Sequence, residues 1–173
     1  PGAAPVDPVR ERALRLLVAL EEGGMPASGP VEQAEAGLAD ETARSFFRAL
    51  VTEALRHRAR IDHLLNGWLD RSAVSSLPPP IRNALRLGIV QLLLMDRVPA
   101  HAAVHETVGL AAAHGHRGTA GLVNAVLRRA AREGRECWAA IDDETSAPTV
   151  ENLALRYSHP EWLVDKWTAR WGT

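Results

Sequence analysis

The sequence predicts an all-helical bundle of about six to eight helices. Apolar residues recur at spacings of three and four in one segment after another, which is the period of a helix with one buried face. No segment shows the two-residue alternation of a half-buried strand. Of the 173 residues, 46% are hydrophobic and 24% charged, a composition typical of one globular core.

The first predicted helix follows Asp7 and Pro8. An Asp side chain accepts hydrogen bonds from the free N–H groups of a first turn, and proline fits the first helical position. The glycine pair Gly23 and Gly24 ends this helix. Its apolar stripe consists of Val9, Ala13, Leu16, Leu17 and Leu20.

A short helix and two longer ones are predicted in the next part of the chain. The segment 25–39 is rich in glycine, proline and small residues, which predicts a loop with a short helix at 31–36. Asp40 caps the next helix, which we expect at the centre of the core. The chain then changes direction near 57–60. The apolar faces on the two sides of this break are Ala43, Phe46, Phe47, Leu50, Val51 and Ala54, then Ile61, Leu64, Leu65, Trp68 and Leu69.

The second half of the chain contains the most apolar predicted helix. Three prolines at 78–80 form a stiff entry to this helix, which runs to about Met95 and has an apolar face wide enough to predict burial on most sides. A helix at 100–114 follows, and another extends from Leu122 to Gly134. The last predicted elements are a polar, acidic linker at 136–148 and two short helices near 150–157 and 160–171.

Cysteine content and hydropathy restrict the class of protein. The single cysteine, Cys137, excludes an internal disulfide and a multi-cysteine metal cluster, which favours a reducing compartment and predicts a cytoplasmic protein. No apolar run reaches the length of a bilayer span, and residues 1–10 lack the apolar segment of a signal peptide, so we predict no membrane partner.

Charge is distributed unevenly along the chain. The net charge is −1, but residues 1–135 contain 17 basic and 14 acidic residues, whereas residues 136–173 contain 3 and 7. Nineteen of the 20 basic residues are arginine, which suits bidentate phosphate contacts but is explained first by the codon usage of a GC-rich genome. Residues 1–135 are therefore mildly basic, and residues 136–173 are acidic.

Three arginine clusters are candidate RNA-binding sites. A guanidinium group offers paired donors to a phosphate and stays charged at physiological pH. For any one cluster a solvated helix face is the simpler explanation, but three clusters in one small domain favour RNA binding, provided that the fold brings at least two together. The clusters are Arg10, Arg12 and Arg15 on the first helix; Arg56, His57, Arg58 and Arg60; and Arg128, Arg129, Arg132 and Arg135 opposite the apolar face of their helix.

Other reactive side chains do not form a predicted catalytic or metal site. His101 and His105 have the i, i+4 spacing of a metal pair, but no cysteine lies nearby and Glu106 follows the pair instead of separating it, so a surface or interhelical role is favoured. Cys137 has no neighbouring histidine to activate it. Base stacking is possible for four tryptophans, but packing is favoured for all of them: Trp138, Trp162, Trp167 and Trp171.

Three segments resemble one known family. Similarity begins at Leu85 with LRLGIVQLLLMDRVPAHAAVHETVGLA and continues at residues 121–132 with GLVNAVLRRAAR. Both segments resemble the NusB-type domain that opens the RsmB (Sun or Fmu) ribosomal RNA cytosine-5 methyltransferases. Residues 153–167 read LALRYSHPEWLVDKW, similar to the segment that joins this domain to the catalytic domain, and a free-standing NusB protein lacks that segment. The resemblance covers nearly the whole chain.

The resemblance implies a NusB-like helical fold for residues 1–135, with residues 149–173 leading into a methyltransferase domain that this sequence lacks. Members of the family methylate carbon 5 of a cytosine in 16S ribosomal RNA with S-adenosylmethionine. Neither the glycine-rich cofactor loop nor the catalytic cysteine motif of the family occurs here, so Cys137 does not take that role. We therefore expect an RNA-binding domain without catalytic residues or cofactor of its own, whose longer parent uses S-adenosylmethionine.

The resemblance also suggests site residues and alternatives. Likeness to NusB implies RNA contacts from the arginines of the first helix, and the joining segment implies contacts to the missing catalytic domain. An alternative is a free-standing NusB-type antitermination factor that binds a leader RNA together with a ribosomal protein, and another is a protein-interaction role for the acidic linker and the last helix. The predicted RNA-binding residues are Arg10, Arg12, Arg15, Arg128, Arg129 and Arg132, and the predicted interdomain residues are Tyr157, His159 and Trp162.

Overall fold

The computed structural model describes residues 6–23, 28–69, 72–116 and 118–172. Within these ranges the chain forms nine α-helices, one short 3-10 helix at Val74–Ser76 and no strand, which confirms the all-helical prediction. The predicted helix end at Gly24, the loop start at Met25 and the outer domain limits at residues 1 and 173 lie outside the described residues. The helices are α1 Pro8–Gly23, α2 Ser28–Ala36, α3 Glu41–Arg56, α4 Arg58–Trp68, α5 Pro79–Leu93, α6 Ala100–His114, α7 Thr119–Glu144, α8 Val150–Tyr157 and α9 Glu161–Trp171.

Local capping explains where several helices begin. The Asp7 carboxylate accepts a hydrogen bond from the Arg10 N–H at 2.8 Å, and the Asp40 carboxylate accepts one from the Ala43 N–H at the same distance. Both predicted caps are therefore confirmed. His57 ends α3 and begins α4, as the predicted change of direction near 57–60 requires.

Helix α5 lies at the centre of the bundle. It packs against α1, α3, α4, α6 and α7, and 12 of its 15 residues are buried. The sequence predicted this extensive burial but placed α3 at the centre. In the structure α3 keeps an exposed face, with Arg48 and Ser45 in solvent, because only one stripe of α3 is apolar.

A glycine on α5 allows α6 and α7 to approach closely. A Cβ atom at Gly88 would lie 2.7 Å from Leu127 Cδ2 and 3.1 Å from Thr107 Cγ2. The absence of a side chain at this position therefore permits the packing of α5 against both helices. This contact fixes the relative placement of α6 and α7, between which the candidate site lies.

Helix α7 is longer than predicted. It does not stop at Gly134 but continues to Glu144, so residues 136–144 are helical rather than a linker and Cys137 lies in a helix rather than a loop. Gly134 is buried, and a Cβ there would lie 2.9 Å from Leu93 Cδ2, so this glycine serves close packing and not helix termination. The division of the chain at residues 135 and 148 stays a prediction.

The last two helices extend the bundle. Helix α8 packs on α4 and α7, and α9 packs mainly on α8. The turn between them places Ser158 in the left-handed region, with φ of 53°. None of the described helices is both long and apolar enough to cross a bilayer.

Candidate nucleic-acid interface

Arg10 is packed inside the bundle. Only 11% of its side chain is exposed, its Nε donates a hydrogen bond to Gln91 Oε1 at 2.7 Å, and its guanidinium lies 4.9 Å from the centre of the Phe46 ring. It also forms an ion pair with Asp7 at 3.3 Å. Because this guanidinium is occupied by the protein itself, we leave Arg10 out of the proposed site.

The other two arginines of α1 are also engaged by the protein. Arg12 donates a hydrogen bond to the Ala34 carbonyl at 2.9 Å. Arg15 is 74% exposed but forms an ion pair with Glu11 at 2.6 Å, and Glu11 contacts His114 Nε2 at 2.8 Å. Burial raises the pKa of Glu11, but hydrogen bonds from His114 and Arg15 outweigh it and leave this pKa below its usual range. The ionised Glu11 carboxylate therefore partly neutralises the positive charge of Arg15.

The cluster at 56–60 is tied to carboxylates as well. Arg56 pairs with Glu53 at 3.0 Å, and Arg58 pairs with Glu21 at 2.8 Å. Arg60 is buried and has partners on α7 and α8. This cluster is therefore part of the ion-pair framework and does not offer a free basic surface.

The arginines of α7 provide the clearest free cations. Arg128 and Arg132 are exposed, and within the described residues neither forms an ion pair. Arg128 Nε donates a hydrogen bond to Asn124 Oδ1 at 3.2 Å, and Arg132 contacts the backbone carbonyl of Arg128. By contrast, Arg129 pairs with Glu133, so it is the least available of the three predicted α7 residues.

A groove between α6 and α7 lies beside Arg128. Its volume is about 360 Å³, and its apolar part is formed by the half-buried Val104 and Val108. The rest of the lining is Ala100, His101, His105, Asn124, Arg128 and Ala131. In the described parts of the chain no group of three or more His, Cys, Asp or Glu side chains is arranged to hold a metal ion.

The predicted clusters on α1 and α7 do not meet through direct contacts. Arg15 is connected through Glu11 to His114, the last residue of α6, whereas Arg128 lies beside His101 and His105 near the start of α6. A helix of 15 residues rises about 22 Å, so the two clusters lie near opposite ends of α6. The contacts of α1 and α7 therefore do not bring these two clusters together, because each cluster follows its own helix face.

Comparison with known proteins identifies the fold family. The NusB family model matches residues 7–132, which include α1 to α6 and the first half of α7. The chain belongs to the NusB family. The resemblance stated from the sequence is thus confirmed, and the NusB from T. maritima has a similar structure, with a TM-score of 0.67 and 23% identity over 76% of this chain and 94% of that one.

Longer relatives also match this NusB-family chain. It is 33% identical over 168 residues to the probable ribosomal RNA small subunit methyltransferase B of Bacillus subtilis, a match that covers 95% of this chain and 35% of that protein. The transcription antitermination protein NusB of Heliobacterium modesticaldum is 33% identical over 140 residues, covering 80% of this chain and 66% of that protein. The chain spans about a third of the length of its first methyltransferase relatives.

The segment beyond the NusB match carries exposed aromatic side chains. Tyr157 and Trp162 are exposed, as are Trp167 and, at 69%, Trp171. The prediction that the tryptophans are packed is wrong for the three on α9, because α9 packs mainly on α8 and only Val164 of α9 is buried. The rings of His159 and Trp167 lie nearly perpendicular to each other, with their centroids 5.3 Å apart. The predicted interdomain residues therefore lie next to an uncovered aromatic surface.

Sequence reasoning missed the groove of this NusB domain. The spacing of His101 and His105 is visible in the sequence, but nothing there places Arg128 of another helix beside them. Asn124 precedes Arg128 by four residues, a spacing that brings side chains together on one helix face and signals the hydrogen bond between them.

Proposed function

We propose that this NusB-family domain binds ribosomal RNA and helps to place it for a methyltransferase domain of the same, longer protein. The observation that carries the proposal is the pair of exposed arginines Arg128 and Arg132, which form no ion pair within the described residues. Guanidinium groups of this kind bind the phosphates of an RNA backbone and set its register on the protein. The methyltransferase B relatives supply the class of RNA.

The proposal assigns no chemical step to this chain. Methyl transfer in the relatives implies S-adenosylmethionine as the cofactor of the longer protein, and ribosomal RNA as a substrate implies a cytoplasmic location. A free-standing antitermination factor is less favoured. The methyltransferase match extends over 95% of this chain, whereas the match to the NusB of Heliobacterium modesticaldum covers 80%.

Charge reversal of the α7 arginines should weaken RNA binding. We expect the double variant Arg128→Glu and Arg132→Glu to lose about tenfold or more in affinity, because two phosphate contacts are lost and two repulsions are added. The negative slope of log affinity against log salt concentration should become shallower by roughly 1.5, because two phosphate contacts are lost. Fluorescence anisotropy with labelled short fragments that tile the small-subunit ribosomal RNA measures both quantities.

A double variant on α9 provides the matched control for this experiment. Lys166→Glu together with Arg170→Glu changes the net charge by the same amount at two exposed positions far along the chain. It should bind the fragments nearly as the wild type does. Equal losses of RNA affinity in both double variants would show that net charge alone causes the effect. An unchanged affinity of the folded α7 variant would refute the proposed site.

The aromatic surface of α8 and α9 is our candidate contact with the methyltransferase domain. We propose that Tyr157, His159 and Trp162 face that domain, since exposed aromatic side chains are enriched in protein interfaces. The tryptophan emission of this chain should then be shifted to the red relative to the longer protein. Replacing Trp162, Trp167 and Trp171 with phenylalanine in both forms should remove that difference, whereas Trp68→Phe, at a buried position, should preserve it.

A further inference from the structure

The α6–α7 groove differs from the other cavities in its charge. None of the residues that line it is acidic, and one of them, Arg128, is a free cation within the described residues. Four other cavities formed by the described residues each include at least one carboxylate beside their arginines, so the positive charge there is at least partly neutralised. The acidic lining residues are Glu32 and Glu35 in the first cavity, Glu21 in the second, Glu41, Glu53 and Asp96 in the third, and Asp96 in the fourth, since two cavities share this residue.

The side chains of the groove suit the two chemical parts of a nucleotide. The hydrogen bond from Arg128 Nε to Asn124 holds the guanidinium at the rim, and its two terminal nitrogens have no hydrogen-bond partner among the described residues. These nitrogens form the paired donors that a phosphate accepts. Imidazole rings stack on bases, and His101 and His105 are both exposed at the rim above an apolar floor.

We propose that the α6–α7 groove holds one unpaired nucleotide of the bound RNA. The phosphate lies on Arg128, and the base lies against His101 or His105 and the apolar floor formed by Val104 and Val108. The volume of about 360 Å³ falls within the range of about 300–1,000 Å³ found for small-ligand pockets. A base inside a helical stem is stacked and paired and does not enter such a groove, so the domain selects single-stranded RNA. This inference rests on the proposed RNA-binding function.

Filling the groove without changing its charge tests the proposal. Ala131 is exposed and lines the groove, so Ala131→Leu narrows it while leaving Arg128 and Arg132 in place. We expect this variant to bind labelled single-stranded fragments of small-subunit ribosomal RNA about tenfold more weakly, because the base loses its stacking site. Ala125→Leu introduces the same side chain at an exposed α7 position that does not line the groove, and it should bind as the wild type does.

A duplex of the same RNA sequence separates base recognition from simple charge attraction. The wild type should prefer the single strand, and Ala131→Leu should lose most of this preference. Equal affinity of Ala131→Leu and the wild type for the single strand would overturn the groove proposal, even if the Arg128 and Arg132 charge reversals weaken binding. If the wild type binds neither RNA, the proposed function itself fails.

If Ala131→Leu does not fold, a histidine variant tests whether the α6–α7 groove holds a nucleotide. His101→Ala combined with His105→Ala removes both rings at exposed positions, so the fold should tolerate it. Affinity for the single strand should fall about fivefold or more. His63→Ala, at an exposed position of α4, is the control and should leave the affinity unchanged. Wild-type affinity of the double variant would overturn the proposal.

Discussion

Replacing Arg86 with methionine should lower the free energy of unfolding by about 3–5 kcal/mol, the usual cost of removing one partner from a buried ion pair. Arg86 is 4% exposed in α5, and its Nε and Nη2 each donate a hydrogen bond of 2.8 Å to the Asp62 carboxylate. Its Nη1 donates to Asn83 at 2.9 Å and lies 3.4 Å from Glu21. Methionine fills a similar volume but leaves Asp62 without its bidentate partner.

Urea denaturation followed by circular dichroism at neutral pH measures this effect. Arg132→Met makes the same substitution at an exposed position of α7 and should change the free energy of unfolding by less than about 0.5 kcal/mol. A loss for Arg86→Met no larger than for this control would show that the Asp62 and Glu21 contacts contribute little to stability.

The penalty of Arg86→Met should also depend on pH. Burial raises the pKa of Glu21, but hydrogen bonds from Arg82 and Asn83 and the charges of Arg86 and Arg58 outweigh it, so its pKa in the folded state lies below its usual range. A lowered pKa stabilises the fold above the unfolded value near 4.5, and this contribution is lost as the pH falls through the folded value. The difference between wild type and Arg86→Met should therefore shrink as the pH falls below 4.5 and through the folded-state pKa of Glu21.

The fold was predictable from the sequence where the deciding pattern lies within a single helix. The wide apolar face of α5 and the caps at Asp7 and Asp40 are local patterns, and the structure confirms all three. The end of α7 depends on tertiary contacts instead. Glycine is the residue type that commonly ends a helix, which is why the sequence predicted an end at Gly134. In the structure Leu93 of α5 occupies the space where a side chain at Gly134 would lie, and a single sequence does not reveal that neighbour.

The candidate site was predictable only where the partners of a side chain are local. Arg128 stayed in the site because its hydrogen-bond partner, Asn124, is local and uncharged, whereas Arg129 pairs with the Glu133 carboxylate four residues later. Arg10 left it because Gln91, 81 residues later, accepts its hydrogen bond, and Arg58 is bound to Glu21 of α1. A helical wheel places an arginine on the outer face, but it does not reveal which carboxylate another helix brings there.

Replacing Arg60 with methionine should detach α8 from the bundle without unfolding the core. The buried guanidinium of Arg60, on α4, donates hydrogen bonds to Asp142 at 2.9 Å, to the Trp138 carbonyl at 3.0 Å and to the Arg156 carbonyl at 3.3 Å. It also stacks on the Trp138 ring at 4.6 Å. One side chain therefore joins α4, α7 and α8, and its loss leaves two backbone carbonyls without these donors, at about 1–3 kcal/mol each where they remain buried.

Amide hydrogen exchange distinguishes this local release from global unfolding. In Arg60→Met the amides of α8 should exchange about tenfold faster or more. The amides of α5 should keep most of their protection, because the main contacts of α5 are with other helices of the bundle and not with α8. Arg56→Met, at an exposed position one turn earlier in the chain, should leave α8 protected. Uniform loss of protection in α5 and α8 would contradict a local role for Arg60. Retained protection in α8 would mean that packing of α8 on α4 and α7 suffices to hold the aromatic surface of α8 and α9 in place.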